Sequence, residues 1–236
     1  MRRAQRVIAF SAEEADAIAL SLRVAALAIV VAMPFAVGVA YVLARWHFPG
    51  KILFDAMVHL PLVLPPVLTG YVLLVLLGRH GAIGERLEDW FGISVAFRWT
   101  GAVIAAAVMA FPLFVRSVRL SIEAIPRELD EIAASLGAGS WHRFWHVLLP
   151  LSLPGIAAGT TLAFAKALGE FGATITFVSN IPGETRTIAL AIQSLTQVPN
   201  GQAGIARLAI VSVLLSLGAL AASEWLTRRA LRHRRE

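Results

Sequence analysis

Long apolar runs alternate with short polar connections along this chain. Five of the runs are long enough to cross a membrane as helices, which requires about 20 apolar residues. The predicted spans cover residues 20–44, 54–78, 99–120, 147–177 and 204–227. No repeat or low-complexity linker divides the chain, so the pattern predicts one all-α integral membrane domain over residues 1–236.

The longest polar interruption, residues 126–150, has a helix–turn–helix pattern of its own and is called the hairpin below. Pro126 suits the first position of a helix, and acidic residues follow it where the helix dipole favours negative charge. Gly137 and Gly139 end this helix, and Ser140 is predicted to cap a second short one. An ordinary surface hairpin and a docking element for another protein both fit this pattern.

An aromatic face accompanies the second helix of the hairpin. Trp141, Phe144, Trp145 and Leu148 fall on one side at helical spacing. Such a face can bind a partner or pack against the protein's own helices. We expect most of these side chains to pack internally, because large aromatic side chains are usually buried.

Composition places the chain in a bilayer. Hydrophobic residues make up 58% and charged residues 15%, whereas soluble domains carry about 25% charged residues. The absence of cysteine excludes disulfides and cysteine-ligated metal sites. The net charge of +6 comes from basic residues that flank apolar runs or crowd the C-terminus, which indicates membrane topology and no nucleic-acid partner.

The distribution of basic residues predicts an orientation. Lysine and arginine are enriched in cytoplasmic loops. One side of the predicted topology receives Arg45, Lys51, Arg116, Arg119, Arg127, Arg143 and the C-terminal arginines. This side, which includes the hairpin and the C-terminus, is predicted to be cytoplasmic, with the N-terminus outside. Arg2, Arg3 and Arg6 disagree with this orientation, because they would then be external.

Catalytic and metal-binding patterns are missing from the sequence. There is no phosphate-binding G-x-x-x-x-G-K-[ST] loop, no H-E-x-x-H and no G-x-S-x-G. His142 and His146 share one helix face but have no nearby third ligand. We therefore predict no catalytic residue, no metal site and no cofactor in this chain.

Two features indicate a transport path or gate. Pro61, Pro65 and Pro66 break the second span just before Thr69, and irregular backbone at membrane depth requires cover from protein or water. A kinked packing helix fits the same prolines. Lys166 and Glu170 lie four residues apart in the fourth span, where ionisable residues usually face a bundle interior or cavity. The predicted path or gate residues are Pro65, Pro66, Thr69, Lys166, Glu170 and Thr174.

A dianion would be attracted by Lys166 and repelled by Glu170. The pair therefore has the properties of a gate or of a helix–helix contact, and it does not have those of a high-affinity oxyanion site.

The hairpin resembles the E-A-A-x3-G-x9-I-x-L-P loop of ABC importer permeases. The matching residues are Glu131, Ala133, Ala134, Gly137, Val147, Leu149 and Pro150, with Ile132 and Val147 as mild departures. The stretches His59–Val67 and Ala167–Thr187 extend the likeness over nearly the whole chain. Together they resemble the permease subunit of bacterial molybdate importers. Sulfate permeases share the L-G-E-F-G-A core of the last stretch, so they are the nearest relatives to exclude.

The resemblance implies the type I importer fold and an inner-membrane permease that hydrolyses no ATP itself. The loop, including Ala138, Gly139 and Ser140, would form coupling helices that dock on a cytoplasmic ATPase, and two ATPase copies would carry the ATP and magnesium. A periplasmic binding protein would deliver the oxyanion. Because one chain supplies one hairpin, two copies of this chain are expected in the membrane lipid.

Other functions remain open from the sequence alone. A sulfate- or tungstate-type oxyanion permease shares the fold and mechanism. A secondary transporter belongs to a different class, and would show repeated halves and need no docking hairpin.

Overall fold

The computed structural model describes residues 10–232, and every regular element among them is a helix. In chain order the elements are α1 Ala12–Arg45, α2 Lys51–Val63, α3 Pro66–Leu77, α4 Gly84–Phe91, α5 Trp99–Glu123, α6 Arg127–Ser135, α7 Ser140–Arg143, a π-helical turn Phe144–Leu148, α8 Leu149–Leu168, α9 Gly172–Val178, α10 Ile188–Leu195 and α11 Gln202–Arg232. The predicted all-α class is confirmed.

Four of the described helices are long and apolar enough to cross a membrane. They are α1, α5, the continuous helix Ser140–Leu168 and the stretch Gln202–Ala222 of α11. The remaining predicted span, 54–78, which is the second in chain order, consists of two helices that meet at 112°. Pro65 lies at the break and Pro66 opens α3, a position that suits proline. Pro61 lies inside α2, so the prediction that it breaks the span is wrong.

The prediction of one helix over 147–177 is wrong. The helix ends at Leu168, where Gly169 closes its last turn, and α9 begins only at Gly172. The carboxylate of Glu170 accepts a hydrogen bond of 3.0 Å from the backbone N–H of Ala173 in the first turn of α9. The chain therefore stops one helix and caps the next within a stretch whose apolar composition is uniform.

The first helix begins at Ala12, eight residues before the predicted span. The side chain of Ser11 accepts from the Glu14 N–H, and the Glu14 carboxylate accepts from the Ser11 N–H. This reciprocal capping box satisfies two N–H groups that a helix start leaves unpaired. Glu13 and Glu14, which lie before the predicted span, thus belong to the first turn of the helix.

Small residues form the centre of the bundle. Helix α5 packs between α1 and α8. The buried face of α1 has an alanine every three or four residues, and α5 also buries several alanines. Those of α1 are Ala25, Ala28, Ala32, Ala36 and Ala40, and those of α5 are Ala102, Ala105, Ala106 and Ala110. Because lipid is as apolar as leucine, close backbone approach through small residues stabilises this contact.

Gly155 and Gly159 extend the same principle to α8. A Cβ atom at Gly155 would lie 2.2 Å from Cβ of Ser121, and one at Gly159 would lie 2.8 Å from the ring of Phe114. Both glycines therefore face α5 at a distance that no larger residue tolerates. A G-x-x-x-G pattern is a weak signal in so glycine-rich a sequence. In the structure, however, these two glycines set the distance between α5 and α8.

Polar contacts of Arg45 fix one end of the bundle. At one end the guanidinium of Arg45 donates to the carbonyls of Ile122 and Ile125, at 3.1 and 3.0 Å, which joins the end of α1 to the end of α5. The hairpin follows directly, so we call this the hairpin end. Arg2, Arg3, Arg6, Arg234 and Arg235, which enter the predicted orientation, lie outside the described residues.

Candidate coupling hairpin and transport path

The turn of the hairpin is a Schellman motif. Gly137 adopts φ of +84°, its N–H donates to Ala134, and the N–H of Ala138 donates to Ala133. This pair of bonds satisfies carbonyls at the end of α6 and reverses the chain. Ala133 and Gly137 of the E-A-A-x3-G pattern, with the neighbouring Ala134, thus have a structural role: they form the turn between two short helices.

The second hairpin helix starts one residue differently from the prediction. Ser140 is the first helical residue and Gly139, with φ of −64°, is the N-cap, so the predicted Ser140 cap is wrong. The Ser140 hydroxyl instead accepts from the guanidinium of Arg143. Pro126 is likewise the residue before α6 and not its first member.

An ion pair that sequence reasoning missed joins the two arms of the hairpin. Nε of Arg143 lies 3.3 Å from a carboxylate oxygen of Asp130, and both side chains are partly buried. The spacing of 13 residues gives no periodic signal, so only the folded turn reveals it. Together with the Schellman turn, this pair makes the hairpin a defined shape.

The exposed side of the hairpin is unusually apolar. Helix α6 buries none of its residues, and Leu136 is 83% exposed and Ile132 57% exposed. The side chain of Glu131 is also exposed and pairs with no described residue, although its carbonyl accepts from Ser135. Two apolar side chains beside a free carboxylate, outside the apolar spans, are typical of a protein-binding surface.

The aromatic face divides between core and surface. Phe144 packs edge-on against Tyr41 of α1 at 5.1 Å between ring centroids, and Leu148 is buried. Trp141 stacks on Phe144 but remains 73% exposed, and Trp145 is 46% exposed. Internal packing therefore accounts for Phe144 and Leu148 and leaves both tryptophans largely open.

The last residues of the hairpin, Val147, Leu149 and Pro150, merge it with the membrane helix. The chain widens into a π-helical turn, in which the N–H of Leu149 donates to Phe144, five residues back. Pro150 cannot donate the usual bond to the fourth residue back, and a proline commonly perturbs the preceding turn. The helix is continuous from Ser140 to Leu168, so no loop separates the hairpin from the membrane bundle.

The predicted path residues meet where the two broken spans touch. A Cβ at Gly172 would lie 2.7 Å from Pro66, and one at Gly70 would lie 2.5 Å from the Ala173 carbonyl. The start of α3 thus packs on the start of α9. Thr69 and Thr174 are buried in this region, at 6% and 2% exposure, so neither lines an open cavity in this conformation, while Pro65 is exposed.

Lys166 and Glu170 form an ion pair of 2.6 Å beside this contact. Their interaction across four residues is present, but Glu170 lies in the break after α8, so the pair does not share one helix face as predicted. The Glu170 side chain is almost fully buried, and its second oxygen caps α9. Both oxygens are therefore engaged, one by a cation and one by a helix start.

A further polar cluster, also missed by sequence reasoning, lies at the hairpin end between α2 and α5. The Arg119 guanidinium bonds Asp55 at 2.9 Å and Glu123 at 2.7 Å. His59 Nδ1 lies 3.1 Å from the other Asp55 oxygen. These groups and Arg116 line a cavity of about 310 Å³. The Asp55–His59 and Arg119–Glu123 spacings of four residues give a sequence signal, whereas the contact between the two helices gives none.

Metal and catalytic chemistry gain no new candidates from the geometry. No group of three or more metal-ligating side chains occurs among the described residues. The His142 and His146 rings stack at 3.9 Å between centroids, and Nδ1 of His146 bonds the His142 carbonyl.

Comparison with known proteins agrees with this geometry. The chain is 58% identical over 215 residues to the molybdenum transport system permease protein ModB of Escherichia coli, a match that covers 91% of this chain and 94% of that protein. It is 39% identical over 184 residues to a probable sulfate transport system permease protein of Chlorokybus atmophyticus, covering 78% and 64% of the two chains.

The fold matches that of a bacterial ABC transporter involved in the import of the acidic polysaccharide alginate. The TM-score is 0.74 at 18% identity, over 93% of this chain and 80% of that one. The predicted type I importer permease fold is thereby confirmed. Residues 20–232 match the family of binding-protein-dependent transport system inner membrane components. The hairpin, the spans and this match agree, and the chain belongs to that family of multi-pass inner-membrane transport proteins.

Proposed function

We propose that this chain is the permease subunit of an ATP-driven molybdate importer, forming the translocation path and coupling it to a separate ATPase. The substrate follows from the name of the Escherichia coli relative, with which the chain shares most of its length. The coupling role rests on one observation: a rigid hairpin presents an apolar, acidic surface and continues into a membrane helix.

In this mechanism the hairpin is the mechanical contact. Leu136 and Ile132 would enter a groove on the ATPase, with Glu131 as a polar contact at its edge. Closure of the ATPase pair would move the hairpin, and the continuous helix Ser140–Leu168 would transmit that movement to the contact between α3 and α9. The two ATPase states thereby favour inward-open and outward-open arrangements of the bundle.

The assembly contains two copies of this chain and two ATPases, with the path on the two-fold axis. Helix α2 buries none of its residues in one chain, and its apolar face would be covered by lipid or by the second copy. A periplasmic binding protein would supply the oxyanion and determine the choice between molybdate and tungstate. ATP and magnesium would bind the partner ATPase, and this chain would hold no cofactor.

The hairpin end faces the cytoplasm in this proposal, as does the C-terminus, and the N-terminus lies outside. The supporting observation is the excess of arginine and lysine at this end, which includes Arg45, Lys51 and Arg127.

Reconstitution tests the proposal. Vesicles that contain this chain, the ATPase and internal ATP are expected to accumulate molybdate when the binding protein is outside. Omission of the ATPase should abolish uptake. Uptake that persists without the ATPase would indicate a secondary transporter and overturn the proposal.

A sulfate importer is the second candidate, because the chain is also similar to a sulfate permease. The lower identity and shorter coverage favour molybdate. Uptake assays with each binding protein in turn separate the two: delivery of sulfate by its own binding protein, with none of molybdate, would favour the second candidate.

A further inference from the structure

Among the basic side chains of the membrane helices that the structure describes, Arg116 stands apart. Arg23 lies over the Trp99 ring, and Arg45 donates to backbone carbonyls. Three other basic side chains pair with carboxylates: Arg119, Lys166 and Arg207. Arg116 makes no hydrogen bond or ion pair with any described residue. It is exposed and lines the polar cavity between α2 and α5.

The depth of Arg116 makes this exposure informative. It lies seven residues before the end of α5 at Glu123, which corresponds to about 10 Å along the helix axis. His59, on the opposite wall of the cavity, lies at a similar distance from the start of α2. A charge inside a membrane span usually faces water, a partner or a transported ion.

The surrounding charges position Arg116 for a transient ligand. Asp55 and Glu123 both bond Arg119, so neither carboxylate is engaged by Arg116. A guanidinium with free N–H groups matches the oxygens of a tetrahedral oxyanion. Because the neighbouring carboxylates balance much of the positive charge, the cavity would hold a dianion weakly, as release into the cytoplasm requires.

We propose that Arg116 forms an exit site for the oxyanion at the hairpin end of the path, in the cavity shared with His59. Arg119 lines the same cavity and is held by its two carboxylates. This inference rests on the proposed function, since it requires an oxyanion in the path.

The absence of cysteine in this chain provides a direct probe. Leu120 lines the same cavity and is 58% exposed, so Leu120→Cys introduces one thiol beside Arg116. In the assembled transporter, mass spectrometry of this chain would follow the thiol's modification by a negatively charged methanethiosulfonate. Molybdate is expected to slow the reaction, and Arg116→Gln should remove that protection and slow the reaction without molybdate.

Protection that persists in Arg116→Gln would overturn the exit site. The exit site would also be overturned if the thiol reacted only because Arg116→Gln had separated the two permease copies. Arg116 would then be an interface residue. Lys51→Gln is the matched control: it removes a charge at the same end that bonds the Trp46 carbonyl and does not line this cavity, and it should leave protection unchanged.

Transport measurements separate this inference from the proposed function. Arg116→Gln should lower molybdate uptake about ten-fold while ATP hydrolysis stimulated by the binding protein is retained, and Arg116→Lys should restore most of the uptake. If the unmodified assembly takes up no molybdate, the proposed function fails. If it does and Arg116→Gln transports equally well, only the exit site fails.

Discussion

At Gly137 the hairpin turns through a left-handed backbone conformation, whereas Gly139, two residues later, has an ordinary φ of −64°. No atom lies within 4 Å of a Cβ added at either position. A comparison of the two glycines therefore tests the effect of backbone conformation alone, because both positions have room for a methyl group. Only Gly137 requires the conformational freedom of glycine.

Gly137→Ala is expected to destabilise the turn by about 1–2 kcal/mol, the cost of a left-handed conformation for a residue with a Cβ. Co-purification of the ATPase and ATP-driven uptake should both fall several-fold. Gly139→Ala should lower both less, because it changes only the N-cap of a four-residue helix at an ordinary φ. Equal effects of the two substitutions would show that the Schellman turn does not matter for coupling.

Glu170 joins two roles, the partner of Lys166 and the cap of α9. Glu170→Gln keeps a cap acceptor but leaves Lys166 without a carboxylate. We expect it to lower the free energy of unfolding by about 2–3 kcal/mol, less than for a fully buried pair because Lys166 retains some exposure. Uptake should fall, while the oxyanion affinity of the binding protein stays the same.

Thermal unfolding in detergent checks this expectation. The double variant Lys166→Met with Glu170→Gln should recover part of the loss, because no charge remains unpaired. A double variant that is less stable than Glu170→Gln alone would contradict this account.

At the level of elements, the bundle depends on how closely α8 approaches α5. Gly155 and Gly159 set that distance, and alanine faces on α1 and α5 do the same on the other side. The hairpin can move α8 only if this contact shifts as one unit, so its tight packing favours rigid-body movement over local bending.

Gly155→Ala should lower the thermal midpoint of the purified chain by several degrees, since the added methyl group would meet Ser121 at 2.2 Å. Gly218→Ala in α11 is the matched control, because its Cβ would meet nothing within 4 Å and alanine favours the helix by about 1 kcal/mol. A midpoint for Gly155→Ala equal to that of Gly218→Ala would exclude a role for helix proximity.

Element boundaries also show what could be predicted from the sequence. Apolar runs located the spans, and Pro65, Pro66 and Gly137 located breaks and turns, because these residues constrain the backbone locally. The break at Gly169–Phe171 was missed, since apolar residues continue on both sides of it. The Arg119–Asp55 contact joins residues 64 positions apart, and a single sequence contains no signal for it.

For the whole molecule, the proposed function predicts that two copies of this chain assemble with two ATPases. Native mass spectrometry of the purified assembly should show that composition, and a stable complex with one copy would exclude it. Leu136→Glu, on the exposed tip of the hairpin, should release the ATPases and leave the pair of permeases intact. Loss of both contacts together would mean that Leu136 lies at the permease interface.

The capping carboxylate at the start of α1 has a consequence for biosynthesis. Glu14 is 6% exposed and pairs at 2.7 Å with Arg207, 193 residues later in the chain. At a translation rate of about 5–20 residues per second, Arg207 is synthesised about 10–40 s after Glu14. During that interval the Glu14 carboxylate lacks its cationic partner, so we expect a chain truncated before α11 to be less stable at the start of α1 than the full chain.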